Sequence, residues 1–444
     1  MTTGAWRRPR LAADGIWRDR SFLLLFGGYT VSAAGTAITR VVLPILVFQL
    51  TGSALQTSTL LILQLVPNMT VGLLAGAVAD RVNRRVLMVG ADLVNAAALA
   101  AIPVLSAAGS LTVAMIYTVA LVSATAYCFG NAAEMGALPA IVGKSRLLTA
   151  SSAMTASYEI MFVVASALGG VLATTIGAAP AIWVDVATYL ASALALARIP
   201  RAFRTGATSP TDGPLVRGLV RDIAEGMRFV WRHQLIRTLT VIGFGNSFTA
   251  GAVLGLLVVY AARQLGLPDD DARIGVLFSA GWAGALAGAI LLPRLARPLG
   301  AARLSLVAVS VNVPLVCALA VSGEFLASLV VLFAWQVTWL VAISNGRVIR
   351  QRLTPDRLQS RVHTVVLIFA WGGQPFGAAL GGLLADARDV RTALLAATAG
   401  VAMSATVGWL SPLRQITDDQ IQALADAADR EVVTAPSTRT AEEV

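Results

Sequence analysis

Gly76-Ala77-Val78-Ala79-Asp80-Arg81-Val82-Asn83-Arg84-Arg85 is the stretch in which an apolar run stops and a charged turn begins. Upstream, residues 54–79 carry no charge at all; downstream, 86–107 carry one, Asp92. The hydrocarbon core of a bilayer takes about 20 mainly apolar residues per helix. Both flanking runs reach that length, so the stretch reads as a short charged turn joining two spanning helices.

The same alternation recurs on either side. Apolar runs occupy 22–49, 54–79, 86–107, 111–134, 149–176 and 179–199, then 235–262, 274–293, 303–322, 324–345, 362–385 and 390–410. The loops between them alternate in charge. Arg81, Arg84 and Arg85, then Lys144 and Arg146, then Arg294, Arg297 and Arg303, then Arg347 to Arg361 fill alternate loops. The turns at Gly52, Gly109 and Gly177 are uncharged. By the positive-inside rule the basic loops are cytoplasmic, which puts both termini inside and requires an even number of spans. The expected fold is all-α integral membrane, with twelve transmembrane helices in two six-helix bundles.

Composition agrees. The 444 residues are 57% hydrophobic and 13% charged, against about a quarter charged in soluble domains. The formal charge of +10 would suggest nucleic acid in a soluble protein; here the arginines sit in short loops, and no nucleic-acid partner is expected. Arg7, Arg8, Arg10, Arg18 and Arg20 ahead of the first run mimic a signal peptide. A cleaved signal has an apolar region of only about 7–15 residues, so the first run reads as a retained helix. Cys128 and Cys317 lie in apolar runs of different halves and read as core residues; His233 and His363 are too few for a histidine metal site. No metal and no cofactor are expected.

Four segments follow: an N-terminal six-helix bundle (1–198), a cytoplasmic linker (199–234), a C-terminal six-helix bundle (235–410) and a cytoplasmic tail (411–444). The linker is irregular at first, with Pro200, Gly206, Pro210, Gly213 and Pro214. Leu219, Ile223, Met227 and Val230 then recur at helical spacing, which predicts an amphipathic helix on the cytoplasmic membrane surface. The tail's last residues are expected to be disordered.

A shift of 212 positions superimposes two pairs of segments. Ala167-Leu168-Gly169-Gly170-Val171-Leu172-Ala173 matches Ala379-Leu380-Gly381-Gly382-Leu383-Leu384-Ala385. Gly72, Ala75, Gly76, Ala77 and Val78 match Gly284, Ala287, Gly288, Ala289 and Ile290. Two matches at one shift, in the second and fifth helices of each half, point to an internal duplication. Small residues there let membrane helices approach closely.

Five ionisable side chains fall inside the expected spans: Arg40, Asp92, Glu134, Glu159 and Asp185. Each costs at least about 2.5–3.5 kcal/mol at a helix centre, which makes it a functional candidate. Arg40 and Glu159 fall near the midplane and read either as pathway charges or as a structural ion pair. Asp92 and Glu134 lie near the cytoplasmic ends, Asp92 as the partner of a loop arginine. Asp185 lies in the outer third and is as readily a group facing the outer water. Tyr127, Asn131, Asn246, Trp335, Gln336, Trp339, Asn345 and Gln374 are the polar and aromatic candidates for a cavity lining. Asp269-Asp270-Asp271 reads as a solvated turn.

The turn after Gly76 resembles the signature loop of major facilitator transporters: a Gly, an Asp-Arg pair, then two basic residues. Here these are Gly76, Asp80, Arg81, Arg84 and Arg85, with Asn83 where a Gly is usual, a residue that tolerates a left-handed turn. Gly76 is expected in close helix contact. Asp80, Arg81 and Glu134 are expected to form a cytoplasmic latch around Arg361. Leu43-Pro44, Thr51-Gly52-Ser53-Ala54, Trp183-Val184-Asp185 with Tyr189-Leu190, and Gln351-Arg352-Leu353-Thr354-Pro355-Asp356-Arg357 resemble the drug and secretion-effector exporters related to siderophore and macrolide efflux proteins. That branch often carries Gly-Asp in its first helix; this chain has Gly35-Thr36.

The resemblance covers about 17–410. It implies two parallel repeats with a site between the halves near the midplane. It also implies secondary active, proton-coupled efflux of an amphipathic small molecule by alternating access. Arg40, Glu159, Tyr127, Asn131, Asn246, Gln336 and Trp339 are the pathway candidates, with Glu159 the candidate proton carrier. Small-molecule substrate, protons and the lipid bilayer are the expected partners, of a monomer in the bacterial plasma (inner) membrane. Uptake of a metabolite by the same fold is the alternative. An integral-membrane enzyme fits less well, since no catalytic constellation is present; with no G-x-x-x-x-G-K-[ST] motif, ATP does not drive this chain.

Overall fold

The computed structural model describes residues 12–200, 215–355 and 358–424. Arg7, Arg8 and Arg10, the irregular part of the linker, Asp356 with Arg357, and the end of the tail lie outside the described residues. In the first half the helices are α1 (Arg20–Thr51), α2 (Ala54–Thr70), α3 (Gly72–Ala79), α4 (Arg84–Ala107), α5 (Val113–Val142), α6 (Leu147–Ile176) and α7 (Ala178–Ala197). After α8 (Leu215–Arg232) come α9 (Gln234–Gly255), α10 (Leu257–Arg263), α11 (Arg273–Leu299), α12 (Ala301–Val321), α13 (Phe325–Leu353), α14 (Gln359–Trp371), α15 (Gly373–Ala387) and α16 (Val390–Leu410).

Helix is what this sequence can form in lipid, where each backbone N–H and C=O must find a partner inside its own segment. Polar side chains mark where helices begin: Asp19, Asn83, Thr112 and Asp389 each accept from a backbone N–H in the first turn. Gly52, at φ 60°, closes α1 in the left-handed conformation that a glycine adopts without strain. Among the described residues, 11 helices are long and apolar enough to cross a membrane. The expected run 54–79 is not one of them because it is divided at Val71 into α2 and α3. The count is thus compatible with twelve. The runs 235–262 and 362–385 are also divided, at Leu256 and Gly372.

The helices cluster into two compact units. One is the first half together with Leu267–Ser279; the other is the second half together with Ser53–Ile62. The same packing scheme serves both. In the first, α1 packs on α6 and α7, and α4 on α5 and α7. In the second, α9 packs on α15 and α16, and α12 on α13 and α16. The duplication read from the sequence is therefore visible in which helices touch.

Its glycines sit at equivalent contacts. In the first unit a Cβ on Gly169 would come 3.2 Å from the Ile38 backbone of α1, and one on Gly170 2.8 Å from the Gly275 nitrogen. In the second, a Cβ on Gly381 would meet Ala252 of α9 at 3.1 Å, and one on Gly382 the Leu55 backbone at 2.7 Å. The other matched pair is unequal. Gly284 and Gly288 abut the α13 backbone at Phe333 and Val337, whereas a Cβ on Gly72 or Gly76 meets nothing within 4 Å among the described residues.

Helix α8 lies against the protein. Val230 is buried, and Ile223, Met227 and Phe229 pack on the core of the second unit. Gly226 lets α8 approach the Arg361 carbonyl, and Glu225 pairs with Arg361. The helical spacing read in the linker is realised as α8, which packs on α9 and α14.

Candidate functional site

Helix α5 continues through Gly136-Ala137-Leu138-Pro139 to Val142, past the end expected at 134. Glu134 therefore lies inside the helix. Asp92 lies as far from the start of α4 as Glu134 from the end of α5, at roughly 12 Å each. Beside them a Cβ on Gly130 would be 3.2 Å from the Ala91 Cβ, so small residues bring α4 and α5 together at the acids.

Both carboxylates line one cavity of about 70 Å³ within the first unit. Tyr29 and Thr36 come from α1, Tyr127 and Asn131 from α5, Tyr158 from α6, and Tyr189 and Ser192 from α7. Among the described residues no Arg or Lys lines it. Thr36 and Tyr189 share a hydrogen bond of 3.1 Å between their hydroxyls. Asn95 is fixed at both ends: its Nδ2 donates to the Ala91 carbonyl at 3.0 Å, and its Oδ1 accepts from Ser123 at 2.5 Å. Asp92 Oδ2 is buried with no partner among the described residues. Asp92, expected to pair with a loop arginine, instead faces this cavity together with Glu134.

An aromatic row leads from the cavity to Arg40. Tyr29 and Tyr158 lie 6.1 Å apart between ring centroids, Tyr158 stacks on Phe162 at 4.3 Å, and the Arg40 guanidinium sits 5.3 Å above the Phe162 ring. That is cation–π distance. Arg40 and Glu159 form no ion pair; Glu159 Oε2 is buried with no partner among the described residues.

Asp185 is 1% exposed, which excludes the outer-water reading. Thr39 of α1 donates to its Oδ2 at 2.5 Å, and Thr188 to its Oδ1 at 3.1 Å. It packs against Gly35: a Cβ there would be 2.4 Å from Oδ1. The acid absent at Thr36 of α1 is thus supplied beside that position by α7.

In the signature turn, Arg84 does the joining. Its Nη1 donates to the Gly136 carbonyl at 2.6 Å and its Nη2 reaches Asp80 at 3.4 Å. Asn83 has φ −60° and caps α4 through the Arg85 N–H, so no left-handed turn is made. Arg81 is exposed and Arg85 half-buried. In the second unit, Arg361 pairs with Glu225 of α8.

In the second unit, Asn246 is 3% exposed and accepts from Asn312 Nδ2 at 3.1 Å, while Thr338 donates to Asn312 Oδ1. This is a buried strut between α9, α12 and α13. Gln336 Oε1, Trp339 Nε1 and Asn345 Nδ2, all on α13, are buried without a partner among the described residues. Trp339 stands 6.4 Å from Trp335 and 6.3 Å from Trp371. Cys128 and Cys317 are free thiols. Asp271 chelates Arg273 and Asp270 accepts from Thr174 through its carbonyl; among the described residues no cluster suited to a metal occurs.

Two helical units of one packing scheme, crossed by apolar helices, define a multi-pass membrane protein of the major facilitator transporter fold. The nucleoside transporter NupG superimposes with a TM-score of 0.73 at 12% identity, over 88% of this chain and 98% of that one. A bacterial homologue of the iron transporter ferroportin does so with a TM-score of 0.71 at 16% identity, over 88% and 98%. The chain belongs to the transmembrane secretion effector family, whose profile matches residues 16–439. Multidrug efflux pump Tap of Mycolicibacterium fortuitum is 28% identical over 411 residues, 90% of this chain and 97% of that one. Macrolide efflux protein A of Streptococcus pyogenes is 24% identical over 225 residues, 50% of this chain and 54% of that one.

Proposed function

We propose that this protein is a secondary active exporter of amphipathic small molecules in the bacterial plasma membrane, working by alternating access and driven by protons. Membership of a family whose members include drug and macrolide efflux proteins supports export. The proton coupling rests on one observation: Asp92 and Glu134 face a single cavity that contains no counter-charge. Pockets for drug-sized ligands measure about 300–1,000 Å³, and this one, at about 70 Å³, is far too small. A few waters fit it. A proton is the smallest counter-charge such a cavity can take, and the tyrosine and threonine hydroxyls around it can pass one on. Glu159, with its unpartnered oxygen, is the second candidate carrier. Arg40, Tyr127, Asn131, Asn246, Gln336 and Trp339 stay assigned to the pathway, and the Gly76–Arg85 turn to gating.

The test offers a dye panel to the outside of inverted vesicles, with and without an imposed pH gradient. Glu134→Gln and Asp92→Asn are expected to keep dye binding and to lose accumulation driven by the gradient. Gradient-driven accumulation at the parental rate in both variants would refute the assignment. Its loss in Glu159→Gln alone would move the proton to α6.

A further inference from the structure

The second unit contains a larger cavity that the proton reading does not use. It opens between the last turns of α13 and the length of α14 and measures about 300 Å³. Ile343, Arg347 and Arg350 recur at helical spacing along α13, with Thr354 just past its end, so one face of that helix forms one wall. Val362, His363, Val366 and Leu367 form the opposite wall from α14, and Trp371 closes one end. Its charged lining is wholly of one sign: two guanidiniums, with no carboxylate among the lining residues, and the His363 imidazole beside them.

Neither arginine is neutralised elsewhere. Arg350 Nη1 donates to the Leu239 carbonyl at 3.3 Å, a neutral acceptor. Arg347 and Arg350 make no ion pair among the described residues. Two guanidiniums one turn apart repel each other; Arg347 is exposed, whereas Arg350 is half-buried, and a half-buried cation without a charged partner is costly. The group that relieves both is an anion that takes bidentate hydrogen bonds, a phosphate or a carboxylate. Ile343, Val366, Leu367 and Trp371 would stand against an apolar body attached to it. A second, smaller cavity also touches Arg350 and Trp371 and leads towards Asn246 and Ser247, so the arginine stands where the two meet.

We propose that this cavity binds an amphipathic anion, its phosphate or carboxylate head on Arg347 and Arg350 and its apolar body against α14. The proposal is independent of the proton site in the first unit. Two sources carry this chemistry: an anionic phospholipid of the surrounding bilayer and an anionic cargo.

The experiment measures equilibrium binding of decyl phosphate to the purified full-length protein in a neutral maltoside detergent, with decyltrimethylammonium as the control of opposite charge. Saturable binding of the phosphate and none of the ammonium are expected. Arg347→Gln with Arg350→Gln should weaken phosphate binding at least about tenfold, the loss of one or two charge-assisted hydrogen bonds. Gln351→Glu, which lines the same cavity, adds a built-in anion of nearly identical shape and should do the same with both arginines in place. It also guards against a double variant that fails to fold. Unchanged phosphate binding in Gln351→Glu, or equal binding of phosphate and ammonium, overturns the proposal. Reconstitution into phosphatidylglycerol and into phosphatidylcholine nanodiscs then separates the sources. Competition by phosphatidylglycerol alone identifies a lipid site; decyl phosphate binding equal in both, with transport into inverted vesicles, identifies a cargo site.

Discussion

Asp185 shows how much one residue's surroundings decide. A carboxylate on an apolar helix is a liability unless donors reach it, and here Thr39 and Thr188 both do. The arrangement depends on Gly35 having no side chain. An Ala Cβ there would lie 2.0 Å from Thr188 Oγ1 and 2.9 Å from the Asp185 Cα, closer than packed atoms come. Overpacking of this kind costs roughly 1–3 kcal/mol. Gly35→Ala is therefore expected to lower the stability of the detergent-solubilised protein by about that amount, read from reversible unfolding in mixed micelles. A variant as stable as the parent would mean that α1 and α7 are less tightly joined at this point. The motif Trp183-Val184-Asp185 was plain in the sequence, but which way Asp185 points was not. Side chains 146 positions apart settle it.

Helix ends carry the next scale. Asp386, near the end of α15, accepts from Ser53 Oγ and from the Ala54 and Leu55 backbone N–H groups at 2.8 and 2.9 Å, and Arg263 donates to it at 3.0 Å. It caps the start of α2 from another helix, which satisfies N–H groups that no intrahelical carbonyl can reach. Asp386→Ala should speed amide exchange at Ala54 and Leu55 by about tenfold or more, the equivalent of one charge-assisted hydrogen bond. Unaltered protection would show that the first turn of α2 is held by other contacts. Asp389 caps α16 within its own chain segment. The Thr392 backbone N–H, and then the Thr392 hydroxyl, hold its carboxyl below the ordinary carboxylate value. A group whose pKa is depressed on folding stabilises above its unfolded pKa, about 3.9 for Asp, and loses that contribution as pH falls through the folded value. Asp389→Asn should melt below the parent at pH 7, and the gap should close in strongly acid buffer. A gap that persists there would assign the effect to shape rather than charge.

At the scale of the whole molecule, the loop charges and the duplication bear on function together. One helix order serves both units, and the charged cavities do not repeat: acids line the one between α4 and α5, and arginines the one between α13 and α14. Orientation in the membrane follows from where Arg and Lys fall. In a background without Cys128 and Cys317, Lys144→Cys is expected to be shielded from an impermeant maleimide on intact cells and Ser110→Cys to react. Both positions are exposed, so access to reagent depends on the side of the membrane. The opposite pattern would invert the topology, and export with it.

Hydropathy alone was enough to find the apolar spans, because the bilayer has a fixed thickness and admits only segments that satisfy their own hydrogen bonds; residue matches at one shift were enough to find the duplication. The signature turn after Gly76 and the basic loops were legible for the same reason: charge is excluded from the core and collects at its edges. What the sequence could not give was the rotation of each helix. In water an amphipathic stripe reports which face is inward; in lipid both faces are apolar, and α5, α6 and α13 carry no such stripe to read. Their facing is set by close contact at small residues, such as Gly130 on Ala91 and Gly169 on Ile38. Only that packing decided that Asp92 and Glu134, 42 positions apart in the sequence, share one cavity. It also decided that Arg40 rests on Phe162 rather than on Glu159.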